Sequence, residues 1–244
     1  MEVATAIILR VTPFKEKDAM ITAITPEGYL SFLARGAFNL QGKNAPAMQK
    51  FMEVELELTE GKAHGLTLRR ATIIYSSSSA MRSLLRMSAL EIIGEVILKS
   101  LMDNRDVANI YPYLQSSIRL ISQEAEPLSQ VFILMAITLR LSGYGLDVDQ
   151  CVRCGSKKAI VAVNFLDGGF VCQSCFDQEH DQSQTEMFLK MARFAFKCQP
   201  EDLSRANFPL METLAFISEF QQLLFDNLGI SLKSYRLLIE AVHP

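Results

Sequence analysis

The stretch Phe51-Met52-Glu53-Val54-Glu55-Leu56-Glu57-Leu58 has two unlike faces. Met52, Val54, Leu56 and Leu58 fall on one side, Glu53, Glu55 and Glu57 on the other, and a period of two marks a half-buried strand. The carboxylates are expected to meet solvent rather than to work as an acid–base pair. Four more strand-like stretches flank this one, at residues 3–11, 19–25, 29–35 and 66–75. Turns are expected at Pro26-Glu27-Gly28 and Glu60-Gly61-Lys62. Five short strands without a long intervening helix predict a small closed antiparallel barrel, which leaves few open edges. Residues 38–50 read as a long polar loop, the kind that often binds a ligand.

Beyond the serines Ser76 to Ser79 the hydrophobic period becomes helical. Leu84, Leu85, Ile92, Ile93, Val96, Ile97 and Leu101 form one stripe at three-to-four spacing. A second helix is expected from about 110 to 122, with Pro112 in its first turn. Pro127 opens a third that stops at Gly143-Tyr144-Gly145, and its all-apolar middle, 132–137, belongs at the centre of a bundle. Ser183 with Glu186 reads as a capping box, followed by helices over 185–196, 209–227 and 231–241. The division is therefore residues 1–78, a barrel, and residues 79–244, a helical domain with a cysteine-bearing insertion at 147–178. This is an α+β chain.

With 244 residues, 49% hydrophobic and 21% charged, the chain can bury a sizeable core, which excludes disorder or coiled coil as whole-chain answers. No apolar run reaches the roughly 20 residues a bilayer requires, and no export signal is visible, so the expected address is cytoplasmic, with no membrane partner. The net charge is −3. Residues 1–80 hold nine Lys+Arg and eight Asp+Glu against fifteen and nineteen in the remainder, so any nucleic-acid contact must rest on local charge in the barrel.

Cys151-Val152-Arg153-Cys154 and Cys172-Gln173-Ser174-Cys175 make the pattern C-x2-C-x17-C-x2-C. Two residues between cysteines let one tight turn present both sulfurs to one ion, and Gly155 suits that turn. Asp167-Gly168-Gly169 marks a hairpin that returns the second pair to the first. The spacing predicts a zinc ribbon with ligands Cys151, Cys154, Cys172 and Cys175. Four cysteines leave no open position for water, so the zinc is expected to be structural. His64 precedes Gly65 and Leu66, not the H-x-E of zinc deaminases. Arg153, Lys157 and Lys158 read as a solvated rim in preference to phosphate contacts, and Cys198 as an idle thiol.

Candidate nucleic-acid contacts in the barrel are Arg10, Lys15, Lys17, Arg35, Lys43, Lys50, Arg69 and Arg70, with Phe14, Tyr29, Phe32, Phe38 and Phe51 as possible stacking partners. Small barrels bind single strands by a cationic groove and aromatic stacking. The competing reading makes Phe32 and Phe51 core and the lysines solvated. Taken alone these residues leave both readings open.

Four stretches, in order, resemble the RecO family of bacterial recombination mediators. They are Ala6-Ile7-Ile8-Leu9-Arg10 through Phe14-Lys15-Glu16-Lys17-Asp18 to Ile24-Thr25-Pro26-Glu27-Gly28; then Leu33-Ala34-Arg35-Gly36-Ala37 with Gln49-Lys50-Phe51; then Leu141-Ser142-Gly143-Tyr144-Gly145-Leu146-Asp147 with both cysteine pairs and Gly168-Gly169-Phe170-Val171; and Gly229-Ile230-Ser231-Leu232-Lys233-Ser234-Tyr235-Arg236. The resemblance implies an N-terminal OB-fold, a central helical domain and a structural zinc. It implies binding to single- and double-stranded DNA, annealing of complementary strands, and loading of recombinase onto strands coated by single-stranded-DNA-binding protein. Its implied partners are RecR and the acidic, apolar C-terminal tail of that coating protein, its implied place the nucleoid during repair, and no chemical step is implied. Two departures stand out. The run Phe38-Asn39-Leu40-Gln41-Gly42-Lys43 carries one charge where the family is often strongly basic. Ser129-Gln130-Val131-Phe132 stands where some relatives carry tail-docking arginines, leaving Arg82, Arg86, Arg119 and Arg140 as substitutes. The alternatives are an interaction scaffold bridging RecR and the coating protein without binding DNA, and a zinc enzyme.

Overall fold

The computed structural model describes residues 2–39, 41–60, 65–123 and 125–242; the expected turn residues Gly61 and Lys62, His64, and Leu40 of the sparse loop lie outside them. Strands β1 (Glu2–Phe14), β2 (Asp18–Thr25), β3 (Gly28–Ala34), β4 (Glu53–Glu60) and β5 (Leu66–Tyr75) close into a barrel in the order β1-β2-β3-β5-β4. Four of the five pairings are antiparallel; β3 and β5 pair in parallel, through Phe32–Leu66 and Leu33–Thr67. The all-antiparallel expectation is corrected here for a topological reason. Directions cannot alternate around a ring with an odd number of strands, so one pair must run parallel. That pairing is short, and from Leu68 onward β5 has no strand on its second edge.

Inside the barrel lie Ala6, Ile8, Ile21, Phe32, Val54, Leu56 and Leu58, the inward face that the alternation in β4 predicts. Strand β1 is apolar on both faces because both are covered: Ile8 points into the barrel, while Ile7 and Leu9 join the core of the helices. The described residues of the expected loop at 38–50 include a seated stretch. Ala45–Met48 form a 3-10 turn that buries Ala47 and Met48 against the barrel interior. Phe51 takes a positive φ of 63° and lays its ring against Gly94, where an added Cβ would sit 3.0 Å from the ring.

Glu53 is the main departure from the two-faced reading of β4. It is 4% exposed, not solvated. Gln115 Nε2 donates to its Oε1 at 2.6 Å, Arg119 Nη2 to its Oε2 at 2.7 Å, and the Arg119 guanidinium lies 5.4 Å from the centre of the Tyr75 ring. Period two predicted which side Glu53 takes; it gave no sign that a helix covers the end of that side.

The helical part comprises α1 (Leu84–Ser100), α2 (Asn104–Ser122), α3 (Pro127–Leu141), α4 (Glu186–Lys197), α5 (Leu210–Leu228) and α6 (Lys233–Val242). Helix α3 is buried from Pro127 to Leu139 and touches α1, α2, α4 and α5, as its all-apolar middle predicts. Its Phe132 joins a cluster of rings with Phe188, Phe216 and Phe220, the closest of them 4.2 Å apart. Two expectations change. Helix α2 begins six residues earlier than expected, so Pro112 lies in its interior. The lost hydrogen bond, a cost of about 3 kcal/mol, is offset by burial of Val107, Ile110, Tyr111 and Leu114 around it. Ser183 belongs to a short strand, and Thr185 caps α4 instead, accepting from Phe188 N.

Helix α6 is pinned to α1 by Glu95, which accepts from the backbone N–H of Lys233 and Ser234, the Ser234 hydroxyl and Lys99. Burial opposes the charged form, but the hydrogen bonds from Lys99, Ser234 and Lys233 outweigh it and hold the carboxyl down to about 2. A depressed carboxyl contributes stability that is complete above its ordinary value near 4.5 and lost as pH falls toward 2. Melting temperatures taken across that window should fall more steeply for the native chain than for Glu95→Gln, which is already weaker at pH 6. Parallel curves would refute this role.

The cysteine-bearing segment forms a second sheet of β6 (Asp147–Cys151), β7 (Ile160–Asn164), β8 (Gly169–Cys172) and β9 (Gln182–Ser183), ordered β6-β8-β7-β9. β7 and β8 pair antiparallel across the expected hairpin at 165–168. None of the described helices is long and apolar enough to cross a membrane.

Candidate metal centre and nucleic-acid interface

The four cysteines come from two knuckles. Cys151 ends β6, and Gly155, at φ 73°, turns the chain so that its N–H returns to Cys151 O at 2.8 Å. Cys172 ends β8, and Cys175 N donates to Cys172 O at 3.0 Å. All four Sγ atoms lie within 4.8 Å of one another, with Cys154 and Cys172 3.6 Å apart. A tetrahedral ion with sulfur bonds of about 2.3 Å sets its ligands about 3.8 Å apart. Burial opposes ionisation of Cys151, but the N–H groups of Cys172, Arg153 and Cys154 outweigh it and draw the thiol down to about 6. Contact with Cys154, then burial, pushes Cys175 up to about 12. Neighbouring sulfurs this close resist sharing negative charge, and a cation removes the conflict. The four close cysteines can hold a metal ion.

Arg153 is exposed, as expected of a rim residue, but it is engaged. Its guanidinium reaches Asp167, Asp181 and the carbonyl of Cys175. Lys157 and Lys158 are exposed, as expected. Cys198 is buried, its thiol pushed up to about 12 by that burial, which suits an idle side chain.

The basic candidates of the barrel separate into three groups. Lys43, Arg69 and Arg70 line one groove of about 870 Å3 with Asn44, Pro46, Glu57, Thr72 and Ile73. It runs along the half of β5 that lacks a second strand. There Asn44 takes a strand's place: its amide donates to Arg69 O at 3.3 Å and accepts from Ala71 N at 3.1 Å. Lys15, Lys17 and Arg35 are exposed near the β1–β2 turn, where Phe38 N donates to Lys17 O. Arg10 and Lys50 face the other way, into a cleft shared with α1 and α6, and Lys50 is ion-paired to Glu91 at 2.7 Å. Of the aromatic candidates, Phe32 and Phe51 are core, Tyr29 hydrogen-bonds Ile97 O, and Phe14 and Phe38 are exposed at 43% and 46%. Asn44 and Thr72 escaped the sequence reading because neither carries charge; an asparagine opposite an open strand edge has no local signature.

The proposed substitutes for tail docking fare unequally. Arg119 is engaged by Glu53, and Arg140 donates to Phe196 O at 2.7 Å and contacts Tyr113. Arg82 is exposed and Arg86 half-buried. Ser129 and Gln130 at the start of α3 are fully buried and bonded to Phe208 N, Ser117 and Leu203 O, so this stretch offers no surface.

Known proteins resemble the chain along its whole length. The family described as "Recombination protein O N terminal" matches residues 1–77, and "Recombination protein O C terminal" matches residues 81–234. The chain is 24% identical over 240 residues to the DNA repair protein RecO of Halalkalibacterium halodurans, covering 96% of this chain and 93% of that one. It is 24% identical over 236 residues to RecO of Bacillus subtilis, covering 95% and 91%. RecO of Bacillus pumilus matches at 25% over 174 residues, 71% of this chain and 68% of that one.

Proposed function

The chain belongs to the RecO family of DNA repair and recombination proteins, and from that footing we propose that it works by holding DNA strands on its barrel, without a chemical step. The observation that carries this is the groove along the open edge of β5, where Lys43, Arg69 and Arg70 stand together on an OB-like barrel. Lys43 and Arg70 form no ion pair among the described residues, so their charges face solvent and a phosphate can take them. Lys15, Lys17 and Arg35, with the exposed rings of Phe14 and Phe38, extend the surface toward the β1–β2 turn. Arg10 and Lys50 stand apart from that track and belong to it only if DNA also crosses onto the helical side. A strand held extended and charge-neutralised, single or taken from a duplex, is ready to pair with its complement, which accounts for annealing. Loading of recombinase then depends on partners, which the family likeness implies to be RecR and the C-terminal tail of single-stranded-DNA-binding protein. The four cysteines hold zinc in a structural role: tetrahedra of four thiolates are characteristic of zinc and leave no position for water.

Binding of an oligonucleotide should weaken with salt along a linear log–log slope. Each lost phosphate contact lowers that slope by about 0.7 on a single strand. Lys43→Ala with Arg70→Ala should therefore flatten it by about 1.4 and weaken binding for all sequences alike. An unchanged slope removes the groove from the interface. Capture of RecR or the coating protein with no oligonucleotide retention at any salt would favour the scaffold reading.

A further inference from the structure

We infer that Arg153 and Asp181 form a clamp that assembles the four-cysteine site ahead of the ion and sets how firmly the ion is held; this rests on the reading of the cysteines as a metal site. Arg153 lies between two ligands, Cys151 and Cys154, so its backbone cannot move without them. Its Nη1 donates to the carbonyl of Cys175, the fourth ligand, at 2.6 Å. One side chain therefore joins the first knuckle to the second by a path that does not pass through the metal.

Asp181 fixes that side chain. It is six residues beyond the last ligand, and its carboxylate is wholly buried. Arg153 meets it as a fork, Nη1 to Oδ2 at 2.6 Å and Nη2 to Oδ1 at 2.7 Å. Each oxygen takes one more donor: Asn164 Nδ2 on Oδ1 and Asp177 N on Oδ2, both at 2.8 Å. Asn164 lies on β7 and Asp177 follows the second knuckle. A second carboxylate, Asp167 at the tip of the hairpin, accepts from Arg153 Nε at 2.9 Å. The first knuckle, the hairpin tip, the second knuckle and the segment after it thus converge on one guanidinium.

The strands of the ribbon are anchored on the main core through Val148, Val163 and Phe170, but the surroundings of the cysteines themselves are thin. The ribbon's own apolar cluster consists of Cys151, Ala162, Val171 and Cys172 with a few partly buried neighbours, and two of those four are ligands. The pairing of β6 with β8 sets Cys151 beside Phe170 and so brings the knuckles near one another, but the turns at 151–154 and 172–175 run on past the paired strands, and without the clamp ion binding would also have to order them. Planar, bidentate geometry is what arginine supplies and lysine does not. Residues behind a metal's ligands typically change affinity about 10- to 100-fold when replaced.

The test uses the full chain. Zn2+ affinity is measured by competition with a chromophoric chelator, and Co2+ is used as a spectroscopic probe, for Arg153→Lys, Asp181→Asn and the pair combined. We expect each single variant to bind Zn2+ about 10- to 100-fold more weakly, with a weaker Co2+ thiolate charge-transfer band. The double variant should lose no more than the worse single one, because the two residues act as a unit. A role confined to general stability would shift melting yet leave Zn2+ affinity and the Co2+ band of the folded chain unchanged; that result, or additive losses, overturns the clamp. Should Asp181→Asn fail to fold, Asp167→Asn, which removes only the half-exposed arm, carries the test through a several-fold faster loss of Zn2+ to chelator. An unchanged rate there overturns it. Native protein that takes up neither ion removes the metal reading and the clamp together, whereas native uptake with unaltered variants removes the clamp alone.

Discussion

Cys172→Ser is expected to bring bound zinc from one equivalent to near none and to lower the melting temperature by several degrees or more. Cys172 is the buried cysteine that ends β8, and its strand lies between β6 and β7 in the small sheet. Structural zinc supplies folding free energy outright, with apparent values of about 10–16 kcal/mol in isolated zinc fingers at neutral pH. Here β6 and β7 also pack on α4, and Arg153 ties the knuckles together, so part of the ribbon's order is secured by the protein. A loss of even about 3 kcal/mol would lower the midpoint of a chain this size by about 6–12 °C. Elemental analysis and calorimetry on the same sample check both halves of the expectation. A variant that keeps its metal, or loses it with no change in melting, defeats the structural-zinc assignment. Chelation of the native protein should act in the same direction, with the ribbon loosening rather than a reaction rate failing.

Arg119→Ala should destabilise the junction of barrel and helices. It leaves the carboxylate of Glu53, 5% exposed, without its cation. Removing one partner of a buried pair costs about 3–5 kcal/mol; here the Arg119 side chain is 43% exposed and the Gln115 amide stays on Glu53 Oε1, which places the expectation below that range, at about 2 kcal/mol. Replacing both partners with apolar groups of similar size, Glu53→Leu with Arg119→Met, should recover most of that loss, because no charge is then stranded. Denaturant unfolding of the two single variants and the pair checks this. If Arg119→Ala costs less than about 1 kcal/mol, the size of an exposed pair, the contact is incidental.

The barrel, the central position of α3 and the paired knuckles were all legible because each rests on a local pattern: period two in β4, an unbroken apolar run at 132–137, and two residues between cysteines. The missed features depend on distant partners. The fate of Glu53 was decided by Gln115 and Arg119, more than sixty residues away. Pro112 reads as a helix breaker until the packing on either side of it is known. The segment 38–50 looked polar and loose because Ala47 and Met48, the two residues that seat it, carry no periodic signal. Charge was visible at every basic position, but no sequence rule separates Arg70, which faces a groove, from Lys50, which is tied to Glu91. Arg153 drew notice only for its place beside the cysteines, since its partners lie 14 to 28 residues further on.

The seam between β-barrel and helices has a practical consequence for anyone who would divide the gene there. Ile7, Leu9, Ile24 and Phe51 sit in the same apolar cluster as Val96, Ile97 and Ile110. A fragment ending near residue 78 would present those side chains to water along a twisted, sticky flank, and the complementary fragment would carry the matching scar. Each half on its own invites precipitation, while co-expression of the two should let them find one another. Calorimetry of the intact chain should accordingly trace one cooperative peak across both halves.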